Sequence, residues 1–332
     1  MEIRSLHLDF NFITALPPAL FSSVRIEKLT LSSNRIAELP ETLFAWPSPL
    51  AASLAVLDLN YNLLEGLSAL RPLTALRQLT LKNNRIREIA QPDLVFEGCS
   101  TTLELLDLSQ NLLEAMPVFN SLQSLVKLDL RDNPIDILDS SSFAGLKYLQ
   151  HLYISGLKLQ YIDSRLFLYQ SQLSSLKIST YPAMRSFRLQ DILARSDALK
   201  TIEIEVREAL LSHQIQWAFG GKLRELVITG QSLTHILPDA FQGLDNANDL
   251  TLRITNTSIR QLPDGLLKYL ADIRYISIDL RRNQLETVSP GVFFGSGVAD
   301  GNDDGDDDDH VESFWRGTRC AATATSSGSA GG

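Results

Sequence analysis

The chain is expected to fold as an α/β solenoid: a curved, right-handed horseshoe of about twelve repeats with a parallel β-sheet on its concave side. Three observations predict this. A motif of aliphatic residues recurs, as in Ile26, Leu29, Leu31, Ile36 and Leu39. An asparagine, Asn34 in this copy, follows the second strand leucine by three positions. A large aromatic such as Phe44 then closes the unit. Within each unit Leu29-x-Leu31 has period two, which places both side chains on one face of a short strand. One unit cannot bury that face alone, whereas a stack of them buries a continuous core.

Units begin at Ile3, Ile26, Leu54, Leu76, Leu103, Leu125, Leu149, Leu173, Leu199, Leu223, Asp249 and Tyr275. The shortest step is 22 residues, from Leu54 to Leu76, and the longest is 28, from Ile26 to Leu54. In the eleventh unit the strand pair is expected at Leu252 and Ile254, because pairing Leu250 with Leu252 leaves Ile259 two positions late. The asparagine recurs at Asn11, Asn34, Asn62, Asn84, Asn111 and Asn133 and returns at Asn283. Its amide is placed to satisfy backbone groups of its own turn and of the adjacent one. Between these lie Leu157, Tyr181, Arg207, Gln231 and Thr257, where either a different turn chemistry, or a change of curvature or a softened middle segment, is expected. Phe21, Phe44, Phe143, Phe167, Phe241 and Phe293 recur in phase, and Phe96, Phe119 and Phe219 lie near it; together they predict an aromatic spine on the convex side. Leu16-Pro17, Leu39-Pro40, Leu237-Pro238 and Leu262-Pro263 open the return segments, where proline disfavours helix.

Residues 1–296 are assigned to the solenoid, expected to be uncapped at both ends and therefore prone to end-to-end self-association. Residues 297–332 are expected to be a disordered tail, first acidic and then rich in Ala, Ser, Gly and Thr. The formal charge of −9 belongs largely to this tail. Residues 300–312 hold seven aspartates and Glu312, so the body is close to neutral, with no bias toward nucleic acid or an anionic membrane. No secretory leader is visible, and no run approaches the ~18 apolar residues of a membrane span. A disulfide between Cys99 and Cys320 is not expected, because the tail offers nothing to fix its geometry.

The tail opens like a calcium loop at Asp300, but the position that needs a bidentate acid is Val311. His7, His151, His213, His235 and His310 show no metal-type spacing, and no nucleophile or phosphate-binding motif occurs. No cofactor and no enzymatic activity are therefore expected. What remains is the sheet surface. Its central row is predicted as His7, Thr30, Asp58, Thr80, Asp107, Asp129, Tyr153, Lys177, Glu203, Val227, Arg253 and Asp279. Asp107 and Asp129 fall on adjacent strands, where like charges repel and where Arg131 and Lys82 are placed to relieve them. The expected protein-binding surface is Asp58, Asn60, Lys82, Asp107, Asp129, Arg131 and Tyr153. Asn256-Thr257-Ser258 is a candidate glycosylation sequon.

The motif L-x-x-L-x-L-x-x-N-x-L, with the return segment Ile236-Leu237-Pro238-Asp239-Ala240-Phe241, resembles the typical extracellular class of leucine-rich repeats. TNTSIRQLPDGLLKYLADIRYISIDLRRNQLETVSPGVF resembles chaoptin-like arthropod surface proteins in particular, and more distantly Toll and Slit. The resemblance implies a cell-adhesion or receptor ectodomain that binds a protein ligand around Asp58, Asp107 and Asp129. An intracellular scaffold or enzyme regulator, and a fragment without independent activity, stay open beside it.

Overall fold

The structure, a computed structural model, describes residues 1–45, 48–184, 188–193, 196, 198–212, 214, 222–244 and 247–294. Phe219, His213, His310, Cys320 and the acidic tail at 297–332 lie outside the described residues. The chain divides into two compact units, Met1–Leu176 and Lys177–Gly332, so the boundary falls in the strand of the eighth repeat.

In the first unit the strands are β1 (Glu2–His7), β2 (Arg25–Thr30), β3 (Val56–Asp58), β4 (Gln78–Thr80), β5 (Leu105–Asp107), β6 (Lys127–Asp129), β7 (Ile137–Leu138), β8 (His151–Tyr153) and β9 (Tyr161–Ile162). β1 to β6 and β8 form one parallel sheet in chain order, and β7 pairs with β9 behind it. The second unit holds most of β10 (Ser175–Ser179), then β11 (Thr201–Glu205), β12 (Leu210–Leu211), β13 (Glu225–Gly230), β14 (His235–Ile236), β15 (Asp249–Thr257) and β16 (Tyr275–Asp279). Here β10, β11, β13, β15 and β16 run parallel in sheet order, and β12 pairs with β14. Both units are therefore parallel-sheet solenoids, with one sheet strand per repeat.

The register follows the leucines. Leu6, Leu29, Leu57, Leu79, Leu106, Leu128 and Leu152 stand opposite one another across the first sheet. All but Leu6 are buried, each contributing about 1.5–3 kcal/mol of transfer free energy. In the second unit Leu226 faces Leu252 and Ile228 faces Ile254, the register expected for the eleventh repeat. The return segments are turns with very short helices, among them α1 (Pro92–Val95). Phe21, Phe44, Phe96, Phe119, Phe143, Phe167 and Phe241 are buried there, while Phe293 is half-buried. Phe96 meets Phe119 at 6.0 Å between ring centroids, and Phe143 stacks on Phe167 at 6.2 Å.

The asparagine ladder closes each regular coil against its predecessor. Asn62 Nδ2 donates to the carbonyl of Leu31 at 2.9 Å and to that of Leu59 at 3.2 Å, while its Oδ1 accepts from the Ile36 amide at 3.0 Å. Asn34, Asn84, Asn111 and Asn133 repeat this three-way pattern. The residue just before each takes a positive φ, as at Ser33, Tyr61, Asn83, Gln110 and Asp132. Asn283 restores the pattern, bonding Ile254 and Leu280.

At Tyr181 the ladder is replaced. The ring is buried, and burial pushes its hydroxyl to a higher pKa. Beside it Thr180 Oγ1 bonds the Glu208 carboxylate and accepts from the Arg207 amide at 2.9 Å. Side-chain bonds thus tie this coil to the next, a turn chemistry different from that of the asparagine coils.

Candidate functional site

The open face of the first unit's sheet is built by the residues that alternate with the buried leucines. Strand pairing sets His7, Thr30, Asp58, Thr80, Asp107, Asp129 and Tyr153 opposite one another in that order. Its aspartates share a local device: each carboxylate accepts the backbone N–H two residues on, an Asx turn that ends the strand. Asp58 accepts from Asn60 at 2.9 Å, Asp107 from Ser109 at 2.9 Å and Asp129 from Arg131 at 3.1 Å. The side chains are thereby fixed before any partner arrives.

The row separates into two groups. In the first, Asn60 follows Asp58, and Asn60 Oδ1 accepts from the Lys82 amide at 2.7 Å. Lys82 does not pair with Asp107, as its position in the sequence led us to expect; its ammonium sits 5.4 Å from the Tyr61 ring centroid instead. The face of an aromatic ring attracts a flexible cation even where, as at Tyr61, it is exposed.

In the second group Asp129 is buried, and Arg131 grips it with two parallel bonds, Nε to Oδ1 at 2.9 Å and Nη2 to Oδ2 at 2.6 Å. That grip, chiefly the hydrogen bond and then the charge of Asp129, raises the Arg131 pKa further against the opposing effect of burial. The Tyr153 ring lies 5.4 Å from the Arg131 guanidinium and 5.0 Å from the Lys127 ammonium. His151 is held below its ordinary pKa by burial and by Lys127. Asp107, directly opposite Asp129, is pushed up by burial and by the Asp129 charge.

Lys127 and Ser109 were not singled out from sequence. Lys127 stands in the neighbouring row, and Ser109 is one of many serines; its burial is visible only in three dimensions. Asn256 is apart from this surface, in the second unit. It is exposed at φ 55°, where the register between β13 and β15 shifts, while Thr257 beside it is buried. Ser258 Oγ donates to the Gln231 carbonyl at 2.6 Å.

Among the described residues, no group of three or more His, Cys, Asp or Glu is arranged to hold a metal ion. No described helix is long and apolar enough to cross a membrane. Cys99 is buried, and desolvation lifts its thiol to about 11, so it is a poor nucleophile.

Comparison with known proteins agrees with this architecture. The leucine rich repeat family profile matches residues 24–86, 101–159 and 123–180. Chaoptin of Tribolium castaneum is 30% identical over 155 residues, covering 46% of this chain and 20% of the relative. Chaoptin of Drosophila melanogaster is 26% identical over 320 residues, covering 88% of this chain and 24% of the relative. The chain thus spans less than a quarter of the length of either. Among solved structures, that of the Drosophila Toll–Spatzle complex matches with a TM-score of 0.62 at 16% identity, covering 88% of this chain and 39% of the matched one.

Proposed function

We propose that this chain, a leucine-rich repeat protein resembling chaoptin-like arthropod proteins, is a non-catalytic binding scaffold of the cell surface. Its protein ligand docks on the open sheet face bearing Asp58, Asn60, Lys82, Asp107, Asp129, Arg131 and Tyr153. One observation carries the reading: the polar groups of this face are immobilised by Asx turns, by the Asp129–Arg131 grip and by the tyrosine–cation contacts. A surface ordered beforehand loses little entropy on contact, so more of the interaction energy appears as affinity. The matched Toll structure is itself that of a complex with a protein, Spatzle.

The surface reading is tested by labelling the full chain, produced in a secretory host, and measuring its binding to arthropod cells. Tyr153→Ala and Asp58→Arg are expected to abolish binding, and Glu114→Arg, a substitution at an exposed ion pair outside this face, to leave it intact. Equal binding by all variants refutes the assignment. The same preparation tests Asn256 as an N-glycan site, which fits its exposure: a hexose-containing mass increment should be present and should vanish in Asn256→Gln. Secreted protein without that increment removes the glycan.

The β1 edge supports a second contact, between copies of the chain. Ile3, Leu6 and Leu8 are only half-buried, and Phe10 and Phe12 are 82% and 77% exposed. End-to-end pairing through this edge predicts a sedimentation coefficient that rises with concentration; a constant one excludes it.

A further inference from the structure

We propose that the open face of the first unit contains a subsite for a basic side chain, the guanidinium or ammonium group of a bound protein, centred on Asp107 and Ser109. This rests on the protein-binding reading above and specifies the chemistry of what is bound.

Four observations converge. Asp107 is half-buried and faces a second carboxylate, Asp129, across the strand pair. The nearby cations are already committed. Arg131 is bound to both oxygens of Asp129, Lys82 sits over Tyr61 and Lys127 sits over Tyr153. Among the described residues, no lysine or arginine forms an ion pair with Asp107, whose one hydrogen bond of good geometry is the Ser109 amide at 2.9 Å. Finally, the Ser109 hydroxyl is 1% exposed and has no hydrogen-bond partner of good geometry, although it lies close enough to act on the Asp107 carboxyl.

A buried polar group without a partner is costly, and a half-buried carboxylate without a cation adds to that cost. The Asp107 carboxylate presents lone pairs and no hydrogen of its own, and the Ser109 hydroxyl has a single hydrogen to give it. The complementary ligand is rich in donors and positively charged, which describes arginine and lysine. An anionic or purely apolar group would meet Asp107 and Asp129 at an energetic loss.

The test uses random twelve-residue peptides selected on the immobilised full chain, after depletion on a synthetic peptide of residues 297–332 to remove binders of the acidic tail. Binders lost on Tyr153→Ala define the open face. Within that set, Asp107→Asn is expected to weaken binding at least about tenfold, and replacing one peptide arginine by citrulline to weaken it equally. The asparagine keeps an acceptor for the Ser109 amide, and the citrulline arm leaves the protein unaltered, so a folding defect cannot imitate the result. Open-face binders that lack basic residues, or that ignore both changes, overturn the basic subsite while leaving the surface standing. Binders that are all indifferent to Tyr153→Ala overturn the surface itself.

Discussion

Asn111 Nδ2 donates to the Leu81 carbonyl at 2.9 Å, across a sequence separation of 30 residues. It also donates to Leu108 at 3.1 Å and accepts from the Ile86 amide at 3.1 Å, all in a buried setting. Asn111→Ala strands three backbone groups away from water, at about 1–3 kcal/mol each. A loss of at least about 3 kcal/mol is expected in urea unfolding. Asn11, exposed and, among the described residues, bonded only to Leu8 and Asp9, serves as the control, with Asn11→Ala costing about 0.5 kcal/mol or less.

Gly156 occupies the position where other repeats hold a strained residue, at φ +79°, and a Cβ there would lie 2.0 Å from Asp132 Oδ1. Gly156→Ala should cost about 1–2 kcal/mol from the backbone conformation alone. Gly66, which has open space around the same imaginary atom, should accept alanine within about 0.5 kcal/mol. Thermal unfolding of the two variants decides it.

Phe143 is fully buried and stacks on Phe167. Removing its ring with Phe143→Ala opens a cavity between consecutive coils, with an expected loss of about 3–5 kcal/mol. Far-ultraviolet circular dichroism during denaturation reads the shift directly.

Two carboxylates should respond to pH with opposite sign. Asp107 has a folded pKa raised above the ordinary 3.8 by burial and by Asp129, so the folded state binds its proton more tightly than the unfolded chain. Its contribution to stability therefore falls as pH rises through 3.8 toward the raised value, and is unfavourable at neutral pH. Asp107→Asn should be neutral to stabilising at pH 7 and without effect well below 3.8. Asp279 is lowered to about 2, chiefly by its hydrogen bond to Arg281. Its contribution is present above 3.8 and lost as pH falls toward about 2, so Asp279→Asn should destabilise at pH 7 and not in strong acid. Unfolding midpoints measured from pH 2 to 7 show both signs.

Much of this was legible in the residues. The Leu29-x-Leu31 pairs, the phase of Phe44 and Phe143 and the role of Asn34 follow from periodicities that only one geometry satisfies. The positive φ before each asparagine was hidden, because Ser33, Tyr61, Asn83, Gln110 and Asp132 share no chemistry and only Gly156 announces it. Its cost is offset by the amide bonds that follow. Thr180 and Glu208 were hidden for another reason: their bond joins adjacent coils through side chains that no repeat pattern contains. The order of the open-face row could be read directly from the strand alternation. Which carboxylate lacks a cation could not, since that turns on Arg131 choosing Asp129 and Lys82 choosing Tyr61.

The asparagine amides have a consequence for how such a chain changes over generations. Each one reaches only its own coil and the one before it, and its partners are main-chain atoms that every coil supplies. Duplicating or excising a whole coil between Asn34 and Asn133 therefore hands every surviving amide an equivalent set of partners. As far as these amides are concerned, the length of that stretch is free to drift by unequal recombination. The coil of Tyr181 is different, because Thr180 needs Glu208 and no other coil provides it. It is a join at which such an exchange would leave a mark, and a place where the order of coils is expected to stay fixed among descendants.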